Sequence, residues 1–402
     1  MKRRSPVVCL AFSGGLDTTY CAVLLRREGS LVHAVTVDTG GFTPAERRTI
    51  VARARAAKVE KHVFVDGRSD VFEKYALPLL FGNVLRGGVY PLSVAAERAV
   101  QAETVAAYAR KAGAETIVHG STAAGNDQFR FDAALRVLAP EISVRAPIRD
   151  GNVSREEETR FLAGAGVAIP PKTTRYSVNE GLWGTTIGGG ETHDSWELPP
   201  EELYPGNTVG RAPKRAREVS VGFEAGRPVS LDSKKLDPLA LVEKLNRIGR
   251  TYAAGRGIHL GDTILGAKGR IAFEAPAALA LIAGHAELEK LVLTKEQRQL
   301  KAQVADTYGR LVHEGLPFEP AASDAAAFLR ATQGRVTGEA RVRFSAGKFE
   351  IAGVRSPFSL MRTSLVRYGE SNAYLTPAEA EGVGKTLALP GRLWTLAGKE
   401  SS

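Results

Sequence analysis

A short apolar run, Val7-Val8-Cys9-Leu10, leads straight into Ala11-Phe12-Ser13-Gly14-Gly15-Leu16-Asp17-Thr18-Thr19, and an amphipathic stretch with Tyr20, Val23, Leu24 and Arg27 follows at once. That order spells a strand, a glycine turn and a helix. A strand that feeds a helix through so tight a turn belongs to a parallel, doubly wound sheet, with helix N-termini gathered at the carboxyl ends of the strands. Several backbone N–H groups without helical partners then point at one place, which suits a phosphate.

The alternation continues down the chain. Residues 6–12, 31–37, 61–65, 115–119 and 142–146 read as buried strands, and 16–28, 44–57, 92–112 and 126–138 carry helical periodicity. Thr43-Pro44-Ala45-Glu46 spells a capping box with proline at the first helical position. Near Ile169-Pro170-Pro171 the alternation stops, which predicts a domain boundary. Beyond it, 218–231 and 339–354 alternate as hairpins around Ala225-Gly226-Arg227 and Ala346-Gly347-Lys348, while 236–252, 276–290 and 295–314 read as helices. The expected fold is α/β: a doubly wound parallel sheet over residues 1–170, an α+β domain over 171–365, and a tail over 366–402 whose last dozen residues read as loosely ordered.

At 402 residues, with 44% hydrophobic and 24% charged side chains, the chain is long enough for two globular domains. No segment has the apolar length of a membrane span, and the basic opening Met1-Lys2-Arg3-Arg4 lacks the rest of an export signal, so a cytoplasmic location is expected. Two cysteines, Cys9 and Cys21, sit in a predicted strand and helix, where they read as small buried hydrophobes and exclude a disulfide framework. The net charge of +10 is scattered, with no dense basic block interleaved with aromatics. It reads as solvated surface and a pull on small anionic substrates, with no nucleic-acid partner.

The Ser13 to Thr18 turn lacks the Lys-[Ser/Thr] ending of the common mononucleotide P-loop. It is similar to the pyrophosphate loop of adenylating ATP pyrophosphatases. Gly14 and Gly15 let the backbone approach phosphate, Ser13 and Thr18 add hydroxyl donors, and Asp17 suits a Mg²⁺-pyrophosphate unit. A plain strand-to-helix turn capped by Ser13 is the alternative. A second constellation follows the 115–119 strand: His119-Gly120-Ser121-Thr122-Ala123-Ala124-Gly125-Asn126-Asp127-Gln128-Phe129-Arg130-Phe131. Another turn at a strand's carboxyl end would set Gly120 and Thr122 beside the first loop, with Asn126 and Arg130 on one helix face and Asp127 adjoining. An amide, a carboxylate and a guanidinium together can read both ends of a zwitterionic amino acid. A capped surface helix with an ordinary Asp127–Arg130 pair is the other reading.

With these motifs in order, the chain resembles the argininosuccinate synthase family. The likeness also includes Tyr176-Ser177-x-Asn179-Glu180-x-Leu182-Trp183-Gly184, Trp196 with Pro199-Pro200-Glu201, and Arg355-Ser356-Pro357-Phe358-Ser359-Leu360, and it runs to about residue 390. The resemblance implies a ligase: a ureido oxygen attacks the α-phosphorus of ATP, pyrophosphate leaves, and the amine of L-aspartate displaces AMP. It implies that Ala11, Phe12, Ser13, Gly14, Gly15, Leu16, Asp17, Thr18, Thr19, Val37 and Gly120 hold ATP, and that Thr122, Asn126 and Asp127 bind aspartate. Tyr90, Arg130, Ser177, Thr186 and Phe273 fall at acceptor positions. Asp17, Asp127 and Arg130 stand as the catalytic candidates. Mg²⁺ would arrive with ATP near Asp17, since no protein cluster forms a metal site of its own. The family's homotetramer implies an oligomerisation role for the tail.

Several positions depart from that pattern. Ser93-Val94-Ala95 replaces Gly-Thr-Ser, Ala123-Ala124-Gly125 replaces Gly-Lys-Gly, and Gly41 stands where a glutamine is usual. Within Gly255-Arg256-Gly257-Ile258-His259-Leu260-Gly261-Asp262-Thr263, the glutamate that would pair with citrulline's ammonium is Gly261, with Asp262 one position away, and the pocket tyrosine is Phe273 beside Glu274. Losing charged partners at one end of a ligand removes recognition of that end. The expectation is therefore aspartate ligation to a ureido- or amide-like acceptor other than citrulline. Authentic argininosuccinate synthesis, a tRNA-modifying sulfurtransferase and a silent regulatory paralogue are the alternatives.

Overall fold

The computed structural model describes residues 5–167, 175–361, 365–369 and 371–400. Its first layer is a parallel sheet of β1 (Val7–Ala11), β2 (Leu31–Asp38), β3 (Lys61–Asp66), β4 (Thr116–Val118) and β5 (Ser143–Arg145), in the order β3-β2-β1-β4-β5. Leu10 lies in register with Ala34 and Val118, so the turns after β1 and β4 leave the same edge of neighbouring strands. This is the doubly wound arrangement that the alternating pattern predicts. The helices Leu16–Arg27, Pro44–Ala56, Ser93–Ala112 and Asp127–Leu138 all form. Thr43 and Glu46 close the expected capping box on the second of these.

Four hairpins and a short strand build the next two sheets, both antiparallel. β6 (Tyr176–Gly181) pairs with β7 (Gly184–Gly189), β8 (Arg217–Glu224) with β9 (Arg227–Leu231), and the two-residue β10 (Lys234–Lys235) extends the second pair. β11 (Arg256–Asp262) and β12 (Lys268–Glu274) join the first pair as β11-β12-β7-β6. β13 (Gly338–Ser345) and β14 (Lys348–Arg355) complete a five-stranded sheet, β10-β9-β8-β13-β14. The helices Pro238–Thr251, Pro276–Val292 and Lys295–Glu314 match expectation, whereas Arg155–Gly164, Pro320–Ala331, the β6–β7 hairpin and the β11–β12 hairpin were not foreseen. Gly-rich strands such as Gly184–Gly189 carry too weak an alternation to read.

One apolar core joins the layers: Val35, Val37 and Ile117 of the parallel sheet share it with Trp183, Phe223 and Leu281. Trp183 is fully buried, and its indole N–H donates to the Pro91 carbonyl at 3.1 Å, fixing the β6–β7 turn against the segment before helix Ser93–Ala112. Cys9 and Cys21 are buried free thiols, and burial pushes Cys9 up to about 12, so it is inert at neutral pH. The expected boundary at Ile169-Pro170-Pro171 lies outside the described residues. The chain to Ser356 forms one compact unit, and Pro357–Ser402 a second. In the second unit Val366–Arg367 pairs with Ser371–Asn372, and Pro377–Glu400 is a helix. The expectation of a loosely ordered end is thus corrected: leucines and alanines at helical spacing carry the helix through Pro390.

Glycines set how closely β6 approaches the parallel sheet. An ideal Cβ on Gly41 would lie 1.9 Å from the Glu180 carbonyl oxygen, so a glutamine cannot occupy this backbone. By contrast, Gly164 ends its helix in open space. Gly41→Ala is expected to cost ~1–3 kcal/mol and Gly164→Ala to gain up to ~1 kcal/mol, read as opposite shifts of the urea midpoint at unchanged slope. Coincident midpoints would contradict the packing described for Gly41.

Candidate functional site

The turn after β1 makes the first half of the site. Gly15, in extended conformation, precedes helix Leu16–Arg27 with no side-chain cap, so the alternative of a Ser13-capped helix is not what forms. Ser13 Oγ instead lies 3.2 Å from Thr18 Oγ1 and accepts the Gly15 N–H at 3.3 Å, while Thr19 Oγ1 donates to the Gly15 carbonyl at 2.7 Å. Gly14 has φ +71°, and an added Cβ would crowd Ile50 at 3.0 Å. Arg53 donates to the Gly14 carbonyl from below. Ser13 is exposed, whereas Phe12, Thr18 and Thr19 are buried, so the hydroxyls of Ser13 and Thr18 and the open helix N-terminus line the turn.

Gly120, after β4, packs directly on that turn: its Cβ would lie 3.1 Å from Thr18 Cγ2 and 3.3 Å from the Asp17 carbonyl carbon. The two turns are therefore one surface. Val37, the last residue but one of β2, is buried against Gly67. Asp17 is the acid of the first helical turn. Glu158, on helix Arg155–Gly164, is 1% exposed and faces it, and burial together with the Asp17 charge pushes Glu158 up to about 8. Among the described residues no three His, Cys, Asp or Glu side chains group as a metal site, so any Mg²⁺ here would need phosphate oxygens as most of its ligands.

The second half of the site is a chain of charges. Asp127 opens helix Asp127–Leu138 and accepts from Arg98 Nε at 2.8 Å and from Arg130 Nη1 at 3.0 Å. Burial works against its charge, but the two guanidiniums overcome this and hold its carboxyl below the ordinary range. Arg98 Nη2 donates to Asn179 Oδ1 of β6 at 2.9 Å, and Arg130 Nε to the His313 carbonyl at 3.0 Å. Asn126 accepts the Ile264 N–H at 3.1 Å, bringing the β11–β12 turn onto the same helix end. Thr122, Ala123 and Ala124 form an exposed loop tied down by Gln128 Nε2, which donates to the Ala123 carbonyl at 2.7 Å.

Of the predicted acceptor residues, Ser177, Thr186 and Phe273 share the adjoining sheet, whereas Arg130 lies on helix Asp127–Leu138 and Tyr90 outside the sheet. Thr186 on β7 stands opposite Phe273 on β12 and Asn179 on β6, while Ser177 lies exposed nearer the start of β6. Tyr90 packs on Phe273, ring centroids 5.4 Å apart, and its hydroxyl accepts the Val94 N–H at 3.3 Å. The His259 ring stacks on Tyr90 at 5.8 Å and fills the space beside Gly261, whose Cβ would come within 2.6 Å of His259 Nε2. Asp262 does not substitute for a carboxylate at 261: it pairs with Lys268 in solvent. A cleft of about 420 Å³ lined by Gly40, Glu180, Gly181, Asn246 and Arg250 lies apart and contains none of the predicted site residues.

Arg98 and Glu97 were missed by sequence reasoning, although two charges amid Ala95, Ala96, Ala99 and Val100 were the available signal. Glu97 is 1% exposed, its Oε1 has no hydrogen-bond partner, and it occupies the space where Gly181 lacks a side chain. Burial raises Glu97 from its ordinary 4.5 to about 8, against the pull of Arg98.

The family models described as the N-terminal HUP domain and the C-terminal domain of arginosuccinate synthase match residues 7–168 and 176–394. The argininosuccinate synthase of Methanocaldococcus jannaschii is 36% identical over 98% of this chain and 99% of its own length. That of Xanthomonas axonopodis pv. citri is 38% identical over 96% and 94%, and that of Rubrobacter xylanophilus 37% identical over 98% and 96%.

The raised carboxyl has a stability signature. The folded state holds a Glu97 proton that the unfolded chain loses above 4.5, so stability falls as pH rises from about 4.5 to 8 and levels off beyond. Glu97→Gln, which keeps the shape and cannot ionise, is expected to leave Tm unchanged near pH 4.5 and to raise it at pH 8. An equal Tm difference at both pH values would mean that Glu97 is already charged in the fold.

Proposed function

Because this chain belongs to the argininosuccinate synthase family, we propose that it is an ATP-dependent ligase that adenylates a ureido- or amide-like carbonyl oxygen and then exchanges AMP for the amino group of L-aspartate. The observation that carries the reading is the packing of Gly120 on Asp17 and Thr18, which joins the uncapped helix N-terminus to the Asn126-Asp127-x-x-Arg130 helix as one surface. Catalysis by such a site is positioning and neutralisation of phosphate charge, with no covalent nucleophile.

In this reading ATP lies along Ala11 to Thr19, Val37 and Gly120, with Mg²⁺ brought by its phosphates toward Asp17. Thr122, Asn126 and Asp127 take aspartate, and Tyr90, Arg130, Ser177, Thr186 and Phe273 take the acceptor. Asp127 enters already bonded to Arg98 and Arg130. Its free lone pairs would receive the ammonium, while the arginines keep it charged. The acceptor is a compound other than citrulline: where an α-ammonium partner would stand, Gly261 offers no side chain and the His259 ring fills the space. A second reading, citrulline itself as acceptor, draws on the near full-length likeness to argininosuccinate synthases. No helix among the described residues is long and apolar enough to cross a membrane, which fits a cytoplasmic enzyme.

The tail is proposed to assemble a homotetramer. Helix Pro377–Glu400 leaves Leu387 77% and Trp394 82% exposed, an apolar face that water does not favour.

Asp17→Asn is expected to suppress pyrophosphate release from ATP, aspartate and any ureido acceptor while retaining the thermal midpoint; unchanged release would remove the turn from the ATP site. Asp127→Asn is expected to raise the KM for aspartate by ~10²-fold through loss of a charged partner. An unaltered KM would take Asp127 out of that site, and efficient turnover of citrulline would restore the second reading. Trp394→Glu is expected to yield a smaller species than the unaltered chain by light scattering, and a monomeric unaltered chain would end the assembly proposal.

A further inference from the structure

Beyond the residues named for the acceptor, four basic side chains gather next to Tyr90. Arg86 precedes it and bridges to it through the backbone, its Nη2 donating to the Asp262 carbonyl at 2.9 Å. His259 stacks on the Tyr90 ring. Arg130 reaches His313 Nδ1 from Nη2 at 3.4 Å. His313, near the end of helix Lys295–Glu314, is 6% exposed, and the charges of Arg130 and Arg86 act on it.

Two buried donors in this cluster make no close hydrogen bond, Arg86 Nε and His313 Nε2, the Asp262 backbone being the one polar group of the β11–β12 turn that acts on His313. The tautomer follows from the neighbours. A guanidinium has donors only, so His313 Nδ1 accepts from Arg130 and the ring proton sits on Nε2. Burial, then Arg130 and Arg86, push His313 down to about 3, so the ring is neutral. The acids on adjoining elements are engaged elsewhere: Asp262 with Lys268, and Asp127 with Arg98 and Arg130. Buried donors without close acceptors in a basic surrounding are costly unless a ligand supplies the acceptor. The β11–β12 turn closes over the place through the Arg86–Asp262 and Asn126–Ile264 hydrogen bonds.

We infer that Arg86 Nε and His313 Nε2 receive a carboxylate at the far end of the acceptor, so that the acceptor is an anionic ureido or amide acid with no α-ammonium group. This rests on the ligase reading for the identity of the acceptor. The carboxylate's two oxygens match two N–H donors, and Arg130 and His259 complete a surrounding that favours an anion and disfavours an ammonium. Aspartate also brings carboxylates, so the test must tell the two substrates apart.

Calorimetry on the full chain with an α,β-methylene ATP analogue separates this inference from turnover. The probes are 5-ureidopentanoate, butylurea, (4-aminobutyl)urea and citrulline, which vary only the far end. 5-Ureidopentanoate is expected to bind at least ~10-fold more tightly than each of the others. Equal or weaker binding than butylurea or (4-aminobutyl)urea overturns the inference, whatever the enzyme does with ATP. In Arg86→Met, and separately in the milder His313→Gln, the preference for 5-ureidopentanoate over butylurea is expected to fall toward one. A preference unchanged in both variants overturns the assignment of the donors, as does weaker aspartate binding with the acceptor preference intact. Pyrophosphate release is measured separately: tight binding of 5-ureidopentanoate with no release for any probe would reject the ligase reading while leaving the carboxylate site standing.

Discussion

The clamp of Arg98 and Arg130 on Asp127 is the interaction on which the arrangement of the site depends. Through it the helix Ser93–Ala112, the helix Asp127–Leu138 and the Asn179 end of β6 meet at one carboxylate. Each of these groups is costly to bury alone, and each is satisfied only when the others are in place. The clamp therefore couples the parallel sheet, which carries the Ser13 to Thr18 turn, to the β6–β7 hairpin, which carries Ser177 and Thr186. Arg130 extends the coupling to helix Lys295–Glu314 through the His313 carbonyl.

Around the clamp, charge is unevenly distributed. Glu97 lies 4.0 Å from Arg98 and yet Arg98 gives its shorter bonds to Asp127 and Asn179. A neutral Glu97 does not compete for the guanidinium, so Asp127 keeps both of its partners. On the far side the balance is positive because Arg86 and Arg130 carry charge beside the neutral His313 ring, and the nearby acids are tied elsewhere. In the proposed reading, a site so divided takes a zwitterion at Asp127 and an anion beside Tyr90.

The parallel sheet was legible because its strands are short apolar runs separated by glycine turns and capped helices, signals that act within ten residues. The glycine turn from Ser13 to Thr18 was legible as a strand-to-helix connection for the same reason. The β6–β7 and β11–β12 hairpins were not, because Gly181, Gly184, Gly257 and Gly261 break their alternation, and their register is set by contacts distant in sequence. Gly41 illustrates the limit: as a letter it was an unexplained departure, and only the Glu180 carbonyl against it supplies the reason. Arg86 and His313 could not be joined from sequence, since they come together only through the fold. The last dozen residues were misread as loose because glycines and a proline interrupt a pattern that the apolar face of helix Pro377–Glu400 still sustains.

The central claim is that a carbonyl oxygen of the acceptor attacks the α-phosphorus of ATP. It is tested most directly by turning over a ureido acid labelled with ¹⁸O in its carbonyl, together with ATP and aspartate, and weighing the AMP released. Attack by that oxygen places one ¹⁸O in each AMP and none in the organic product. Unlabelled AMP, with the label retained in the product or lost to water, would contradict the account.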